Sequence, residues 1–576
     1  MSVNNSQSSV DEKPNDAFAE LGDAAPVDVE DEIVAKFLGV SEDARESEKS
    51  EKEMSFMEAV RTYPKCAGWS FIFSSGLIME GYDTLLLSSM YALPAFCRRF
   101  GTWDESSNSY QVSSGKQTGL NVCVSIGEII GLQFAGTIAD RIGTRMTLVG
   151  SLVLITCYIF LFFFARNYAM LVVGQLLCGM PWGCFQTLAT TYASEVCPMV
   201  LRYYLTSYVN VAWVLGQLVG AGVMKNSDSR LSTKESGWKL PFGLMWIWPV
   251  PLAIGIYLAP ESPWWLVKRG RLADAGKSVK RLLSGMTEER KDIVADLMVK
   301  KMKMTSEKEK EIEKTATYLE CFKKRNWRRT RIACITFIIQ NEGGSALVGY
   351  STYFYEKAGV SDSWSFNFTI IQDCLGLIGN IISWFLSPHI GRATMFISGV
   401  GIHIVLMLVI GIIGFVGHGS TSGYAVGVLL MIFDFVYYVT VGPVTYCIVP
   451  EIPSVKLRNK TVVLARNCYN LVGIVFNCVM TPYMLNQWNW GAKTGIFWAC
   501  FDVVWFIWCI FELPETKDRT FAEIDELFEE GVPSRKFKYT VVDPFENKKL
   551  LEHFDSEHVN RLANIDIAEK SNSVDA

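Results

Sequence analysis

Two carboxylic acids lie one helical turn apart in a stretch that is otherwise apolar. Glu80 and Asp83 belong to the sequence LIMEGYDTLLLSSM, which covers residues 77 to 90. A carboxylate near the middle of a bilayer costs roughly 2.5 to 3.5 kcal/mol on insertion scales, so an ionisable side chain there usually has a function. A carboxylate poised between burial and a nearby cation can bind and release a proton. We therefore predict that these acids carry protons.

Two more charged residues occupy apolar stretches further along the chain. Glu128 lies in SIGEIIG and Arg466 lies in LARNCYN. A buried charge is tolerated only when another group compensates it. Arg466 is therefore the candidate counter-charge for the acids.

The composition predicts an integral membrane protein. Half of the 576 residues are hydrophobic, 34 of them are Phe, and the net charge of −5 combines an acidic first 53 residues with a basic block from Lys268 to Arg331. Most of the fifteen cysteines lie singly in apolar runs without metal-site spacing, so we interpret them as packing residues. No P-loop, nucleophile elbow or metal cluster is present, which argues against an enzyme. No nucleic-acid partner is expected.

Apolar runs of about 20 residues mark candidate transmembrane helices, because a helix satisfies its own backbone groups in lipid. Twelve runs are found, at about 68–91, 119–139, 146–165, 168–191, 204–224, 241–260, 332–354, 366–387, 394–416, 423–449, 461–484 and 494–513. We predict an all-α membrane protein with two pseudo-symmetric bundles of six helices.

Basic residues in the short links predict the orientation. The links at 140–145 and 388–392 are basic, and so are the span-proximal ends of the long central segment. Both termini are therefore expected in the cytosol. The predicted regions are a disordered N-terminal tail (1–56), a first bundle (57–260), a helical linker (261–330), a second bundle (331–513) and a C-terminal tail (514–576).

A short motif repeats at equivalent positions in the two bundles. SEVCPMVLR covers residues 194–202 and PEIPSVKLR covers residues 450–458, so Glu195 and Arg202 have the same spacing as Glu451 and Arg458. A duplicated six-helix unit with a central site between its copies is an organisation found in transporters.

Three further motifs make the chain resemble the sugar porter family of the major facilitator superfamily over about residues 57–530. They are GTIADRIGTR at 136–145, PESPWWL at 260–266 and LPETK at 513–517. The chain departs from the family pattern at Thr144, Trp264 and Asp518. Within the family, MEGYDT, PWGCFQ, KTVVLARNCYN and WNWGAKTG are similar to yeast maltose and α-glucoside permeases.

The resemblance implies a fungal plasma-membrane symporter that imports maltose or a related α-glucoside together with protons. Its expected partners are the sugar, the proton and the lipid bilayer, and no cofactor is expected besides the proton as coupling ion. Asp83 matches the family's proton-coupling acid, and Glu80 is its neighbour. In the implied fold, spans 2 and 11 pack together, so an ion pair between Glu128 and Arg466 is expected. Gln175 stands where the family has an arginine.

A sugar presents hydroxyls and no charge, so its site needs amides, hydroxyls and aromatic walls. By resemblance Gln217, Gln340 and Tyr350 contact sugar. The full candidate set is Asn210, Gln217, Gln340, Asn341, Tyr350, Tyr446, Tyr469 and Asn470. The alternative is that these groups only bond neighbouring helices, a contact worth about 0.6 kcal/mol on average.

Charged residues at the inner helix ends are candidates for a cytosolic gate. Ion pairs there would hold the outward-facing state closed. The set is Asp140, Arg141, Arg145, Glu195, Arg202, Glu451 and Arg458. The second-half copy is expected to be weaker, because Pro388 replaces the family's acid. A positive-inside role explains the arginines equally well.

Two other functions remain open at the level of sequence. A sugar uniporter would move its substrate without alkalinising the medium. A sugar receptor on the same fold would signal through its tail, but the C-terminal tail is short and has no repeats. Counterflow of labelled sugar in vesicles separates a carrier from a receptor.

Overall fold

The computed structural model describes one compact unit within residues 60–542. Within that range the description omits residues 62, 106–108, 198, 232–233, 285–287, 290, 293–294, 297, 300–301, 304–316, 344, 358–359, 361, 417–419, 455–456, 518 and 520. The predicted N-terminal tail, the end of the C-terminal tail from residue 543 and part of the predicted linker lie outside the described residues.

The first bundle contains six membrane crossings, which we number as spans. Span 1 consists of Pro64–Ser74 and Gly76–Met90, span 2 of Ser114–Ile142, span 3 of Thr144–Phe163, span 4 of Tyr168–Val196 and span 5 of Met199–Leu231. Span 6 consists of Ser236–Leu244, a 3₁₀ turn at Met245–Ile247 and Pro249–Leu258. A short helix, Pro94–Phe100, and a two-stranded hairpin, β1 (Thr102–Asp104) and β2 (Ser109–Gln111), join spans 1 and 2.

The second bundle repeats this order. Span 7 is broken into Lys324–Glu342, Ser345–Gly349 and Ser351–Lys357, and it is followed by span 8 (Asp362–Leu386) and span 9 (Arg392–Val416). Span 10 consists of Ser420–Val439 and Val441–Glu451. Span 11 consists of Arg458–Gly473, a π-helical turn at Ile474–Met480 and Thr481–Asn486. Span 12 is Thr494–Glu512.

Among the described residues, ten of these crossings contain a helix long and apolar enough to span a membrane. Of the other two, span 1 is composed of two shorter helices, and the longest helix of span 7, Lys324–Glu342, begins with several basic residues. Their positions agree with the first and seventh predicted spans, so twelve crossings are present. The helix boundaries differ from the predicted ones by several residues because the helices extend beyond their apolar runs.

The span ends that carry Arg145 and Arg392 lie on the same side of the molecule as the described residues between 261 and 330. We call this side the linker face. Helices Pro263–Lys268 and Leu272–Leu282 and a 3₁₀ turn at Tyr318–Phe322 lie between the bundles in sequence. Leu272–Leu282 packs four residues of its apolar side, Ala275, Ser278, Val279 and Leu282, away from solvent. This helix lies within the predicted helical linker.

Glycines bring spans 2 and 4 into backbone contact. Gly127 and Gly131 on span 2 face Gly179 and Gly183 on span 4, so each helix has two glycines spaced by four residues. A Cβ at Gly131 would collide with the carbonyl oxygen of Met180. Small residues at such spacing let membrane helices approach closely, and van der Waals contact then stabilises the pair.

The two bundles meet mainly through spans 5 and 2 of the first bundle. Span 5 packs against spans 8 and 10. Span 2 packs against span 11, which is the one contact of these that was predicted. The Tyr203 hydroxyl lies 3.0 Å from the Ser383 hydroxyl, and the Trp384 indole donates to Ser207 at 2.8 Å. Polar groups on span 5 therefore bond directly to span 8.

We expect Gly131→Val to destabilise the protein by roughly 1 to 3 kcal/mol, since the added side chain forces spans 2 and 4 apart. The measurement is the apparent melting temperature of the purified protein in detergent. Gly136→Val is the matched control, because a Cβ at Gly136 has no atom within 4 Å. Equal melting temperatures for the two variants would contradict the close-packing account.

Candidate transport site

Donors from span 4 hold both acids of span 1. Glu80 and Asp83 are only 3% and 4% exposed. The Trp182 indole donates a hydrogen bond to Asp83 Oδ2 at 3.2 Å, and the Gln186 amide donates to Glu80 Oε1. Trp182 and Gln186 are four residues apart in the helix, so they lie on one face of span 4. This spacing matches the three-residue offset of the acids on span 1.

Gln186 also contacts Arg466 of the second bundle. The Nε of Arg466 donates to Gln186 Oε1 at 2.9 Å, and a terminal guanidinium nitrogen lies 3.4 Å from the Tyr446 hydroxyl. The guanidinium stacks over the ring of Tyr469, 4.1 Å from its centroid. One amide side chain thus connects an acid of span 1 to the arginine of span 11.

In this structure Glu128 and Arg466 do not form the direct ion pair that was expected. Both residues are described, and no contact of ion-pair length joins them; Glu128 lies beside Gln186 and Asn470. The physical reason is that Tyr469 and Gln186 orient the guanidinium, and an amide can donate to one charged group while accepting from another. Arg466 nevertheless remains within electrostatic range of Glu80 and Glu128.

Three of the predicted sugar contacts are close to the interface between the bundles. Asn210 donates to Asn380 Oδ1 at 3.0 Å, and the Tyr438 hydroxyl donates to Gln217 Oε1 at 3.2 Å, so both pairs join span 5 to the second bundle. Gln340 donates to the carbonyl oxygen of Gly442 at 3.2 Å.

A second group of predicted residues lies on span 11 or contacts it. Asn341 donates to the backbone oxygen of Tyr469 at 2.8 Å and accepts from Asn477. Tyr446, Tyr469 and Asn470 surround Arg466 and Glu128. The Gln340 Oε1 and Asn470 Nδ2 atoms are buried without a hydrogen-bond partner.

Tyr350 lies apart from these amides. Its hydroxyl accepts from Asn121 of span 2, and its ring stacks with Tyr91 at 6.5 Å. It therefore forms part of the contact between bundles that also includes Ser89 and Thr352, whose hydroxyls are 3.5 Å apart.

Several residues of the site were not predicted. Gln186, Asn121, Asn380, Tyr438 and Asn477 all contact predicted residues. The signal that identifies them is the same in each case, an amide or phenol within an apolar span. Gln186 also lies in the PWGCFQ motif.

The described contacts of the proposed gate residues are local on the linker face. Glu195 accepts from Ser262 at 2.6 Å, Arg269 donates to the backbone oxygens of Asp140 and Arg141, and Glu451 forms an ion pair with Arg392. The Arg145 side chain donates to the backbone oxygens of Tyr257 and Ala259, and Arg458 begins span 11. The side chain of Arg202 lies outside the description, so the Glu195–Arg202 pair stays a prediction. The relative strength of the two gates also stays a prediction.

Two glutamates that the sequence identified only as motif members cap equivalent helices. Glu261 accepts from the backbone N–H of Arg145 at 3.2 Å at the start of span 3. Glu515 accepts from the backbone N–H of Arg392 at 2.7 Å at the start of span 9. A carboxylate there satisfies free N–H groups and interacts favourably with the helix dipole. The two halves therefore repeat this contact as well as the fold.

The Sugar (and other) transporter family matches residues 69–528 of the 576-residue chain. The chain belongs to this transporter family. The predicted resemblance to the sugar porters is thereby confirmed, as is the assignment to transporters rather than enzymes.

Relatives of the transporter match nearly its whole length. It is 50% identical over 530 residues to the General alpha-glucoside permease of Saccharomyces cerevisiae, which covers 92% of this chain and 85% of the relative. It is 47% identical over 528 residues to Maltose permease MAL61 of the same species, which covers 91% of this chain and 85% of the relative.

Solved structures confirm the fold class of the transporter. The proton:xylose symporter XylE bound to 6-bromo-6-deoxy-D-glucose matches with a TM-score of 0.67 at 20% identity, over 80% of this chain and 98% of XylE. XylE from E. coli in an inward open conformation matches with a TM-score of 0.61 over the same shares of the two chains. At this identity the likeness shows the major facilitator fold alone.

The cap at Glu261 predicts a pH dependence of stability. Burial raises the pKa of Glu261 above its usual 4.5, although the backbone N–H groups of Arg145 and Ser262 favour its charged form. The folded protein therefore binds this proton more tightly than the unfolded chain does. The contribution of Glu261 to stability is highest at low pH and falls as the pH rises above about 4.5.

We expect Glu261→Gln to reduce the difference in melting temperature between pH 5 and pH 7. Asp274→Asn is the control, because hydrogen bonds from Arg271 and Lys277 lower the pKa of Asp274 below its usual 3.8 and keep it ionised throughout this range. An unchanged pH difference in Glu261→Gln would contradict the assignment.

Proposed function

We propose that the transporter imports maltose or a related α-glucoside together with protons by alternating access. The observation that carries the proposal is the connected set of Glu80, Gln186 and Arg466, which places a buried acid and a buried cation across the interface between bundles. The named substrates of the relatives supply the sugar class.

The proton part of the cycle rests on the acids of span 1. Glu80 Oε2 and Asp83 Oδ1 are buried without a hydrogen-bond partner, so each carboxyl has one engaged and one open oxygen. A proton bound at the open oxygen neutralises the acid and removes the cost of burying its charge. A cation favours the charged form of a nearby carboxyl group, so Arg466 assists release of the proton from Glu80 when the site faces the other side.

The sugar part rests on the amides and phenols at the interface. Asn210 and Gln217 now bond to Asn380 and Tyr438 of the other bundle. A sugar between the bundles offers hydroxyls that bond to the same four side chains. Sugar binding then replaces direct contacts by bridged ones, and it favours the arrangement in which both bundles close on the ligand.

The proposed orientation places the linker face and both termini in the cytosol of a cell whose plasma membrane contains the transporter. The basic residues near the span ends support this orientation through the positive-inside rule. Glu451 with Arg392, and Glu195 with Arg202, are then proposed parts of the cytosolic gate. The proton is the coupling ion, and the proposed cycle uses no other cofactor.

We expect Asp83→Asn to abolish uphill sugar accumulation while counterflow of labelled maltose in proteoliposomes continues, because an amide cannot release the coupling proton. Glu342→Gln is the matched control. Glu342 is also a buried acid that accepts from an indole, that of Trp505 at 2.8 Å, but it lies outside the Glu80–Arg466 set.

The readouts are sugar accumulation and alkalinisation of the medium on sugar addition. Asp83→Asn with normal sugar-dependent proton uptake would exclude Asp83 as a coupling residue. Wild-type protein that accumulates no maltose under a proton gradient, yet exchanges it, would establish a uniporter instead.

We expect Gln340→Ala to raise the apparent KM for maltose about tenfold, since one lost polar contact with a ligand is worth about 1.4 kcal/mol. Gln117→Ala is the control, because Gln117 is a buried amide that likewise donates to one backbone oxygen, that of Val112 at 2.9 Å. Uptake is measured at several maltose concentrations and normalised to surface protein. An unchanged KM in Gln340→Ala would remove Gln340 from the sugar site.

A further inference from the structure

A basic pocket lies on the linker face between the start of span 7 and the end of span 12. Its volume is about 390 Å³, and its lining includes Lys324, Trp327, Arg328, Arg331 and Glu512. The chain that follows span 12 closes one side of it with Pro533 and Ser534. Neither the proton site nor the sugar site includes any of these residues.

The pocket has more positive than negative charge. Arg331 forms an ion pair with Glu512 at 2.7 Å. Arg328 donates to the Val532 carbonyl and the Ser534 hydroxyl, both neutral groups. Among the described residues, none forms an ion pair or side-chain hydrogen bond with Lys324. Lys324 also begins a 19-residue helix, whose dipole adds positive potential at this end. Three cations and one carboxylate leave a net charge of +2 for an anion to neutralise.

Exposed apolar side chains adjoin the cations. Trp327 is 45% exposed on span 7, and Phe511 is 58% exposed on span 12. Ile507, one turn further into span 12, is 52% exposed. Exposed aromatic residues at span ends are typical of the boundary between headgroups and acyl chains. A ligand in this pocket therefore meets charge at one end and an apolar helix surface at the other.

We propose that this pocket binds the anionic headgroup of a membrane phospholipid whose acyl chains lie along span 12. Basic pockets between spans bind such headgroups through charge and hydrogen bonds. A soluble anion would gain nothing from the exposed surface of Phe511 and Ile507, so the adjoining apolar surface favours a lipid. The bound headgroup joins the start of span 7 to the segment around Ser534. The proposal does not depend on which sugar is carried.

The test is a titration of the purified full-length transporter in detergent with dioctanoyl phosphatidylinositol, followed by native mass spectrometry. Each cation near an anionic headgroup contributes about 1 kcal/mol, or about fivefold in affinity. We expect Lys324→Glu to weaken binding at least about fivefold and Lys324→Gln to have a smaller effect. Lys323→Glu is the matched control, because Lys323 is the adjacent exposed lysine, pairs with Glu320 and does not line the pocket.

Three results would overturn the proposal. Equal losses in Lys323→Glu and Lys324→Glu would show attraction to surface charge without a pocket. Equal binding of dioctanoyl phosphatidylcholine would show that the anionic charge is not recognised. Glycerophosphoinositol that binds as tightly as the lipid would identify a soluble anion as the ligand. The melting temperature of each variant without lipid confirms that the exposed substitutions leave the fold intact.

Discussion

The structure depends on how charge is accommodated where water is excluded. The side-chain amide of Gln186 donates a hydrogen bond to Glu80 and accepts one from Arg466. One neutral group therefore contacts an acid of the first bundle and a base of the second. Each charged group therefore has a polar neighbour, and the high free-energy cost of burying an unpaired charge in a hydrocarbon interior is avoided. Spans 1, 4 and 11 must keep their relative rotation for this contact to persist. The glycine contacts of span 4 with span 2 help to maintain that rotation.

The membrane crossings and the buried acids could be predicted from the sequence because each is a local property of the chain. An apolar run of sufficient length predicts a span, and a charge inside it is conspicuous. The hydrogen-bond partners of those charged groups were harder to predict. Glu128 and Arg466 have opposite signs on helices that do pack together, yet Gln186 lies between them, because the rotation of each helix decides which side chains meet. That rotation is set by contacts between helices, which a single sequence does not show.

Family motifs indicated which residues matter without indicating what they do. From sequence, Glu261 and Glu515 are known only as members of the PESPWWL and LPETK motifs, which follow spans 6 and 12. In the structure each accepts hydrogen bonds from the first backbone N–H groups of a neighbouring helix, span 3 in one bundle and span 9 in the other. The same contact in both halves gives the internal repeat a physical meaning. It ties the last helix of each bundle to its third.

The breaks in span 7 separate two tasks that a continuous helix would combine. Lys324–Glu342 carries Gln340 and Asn341 at its end, whereas Ser351–Lys357 carries Thr352, which touches the first bundle through Ser89. A separate short helix, Ser345–Gly349, lies between these two pieces, so the backbone hydrogen bonds of one do not continue into the other. Loss of the Ser89–Thr352 contact would therefore free Ser351–Lys357 without breaking the helix that carries Gln340 and Asn341.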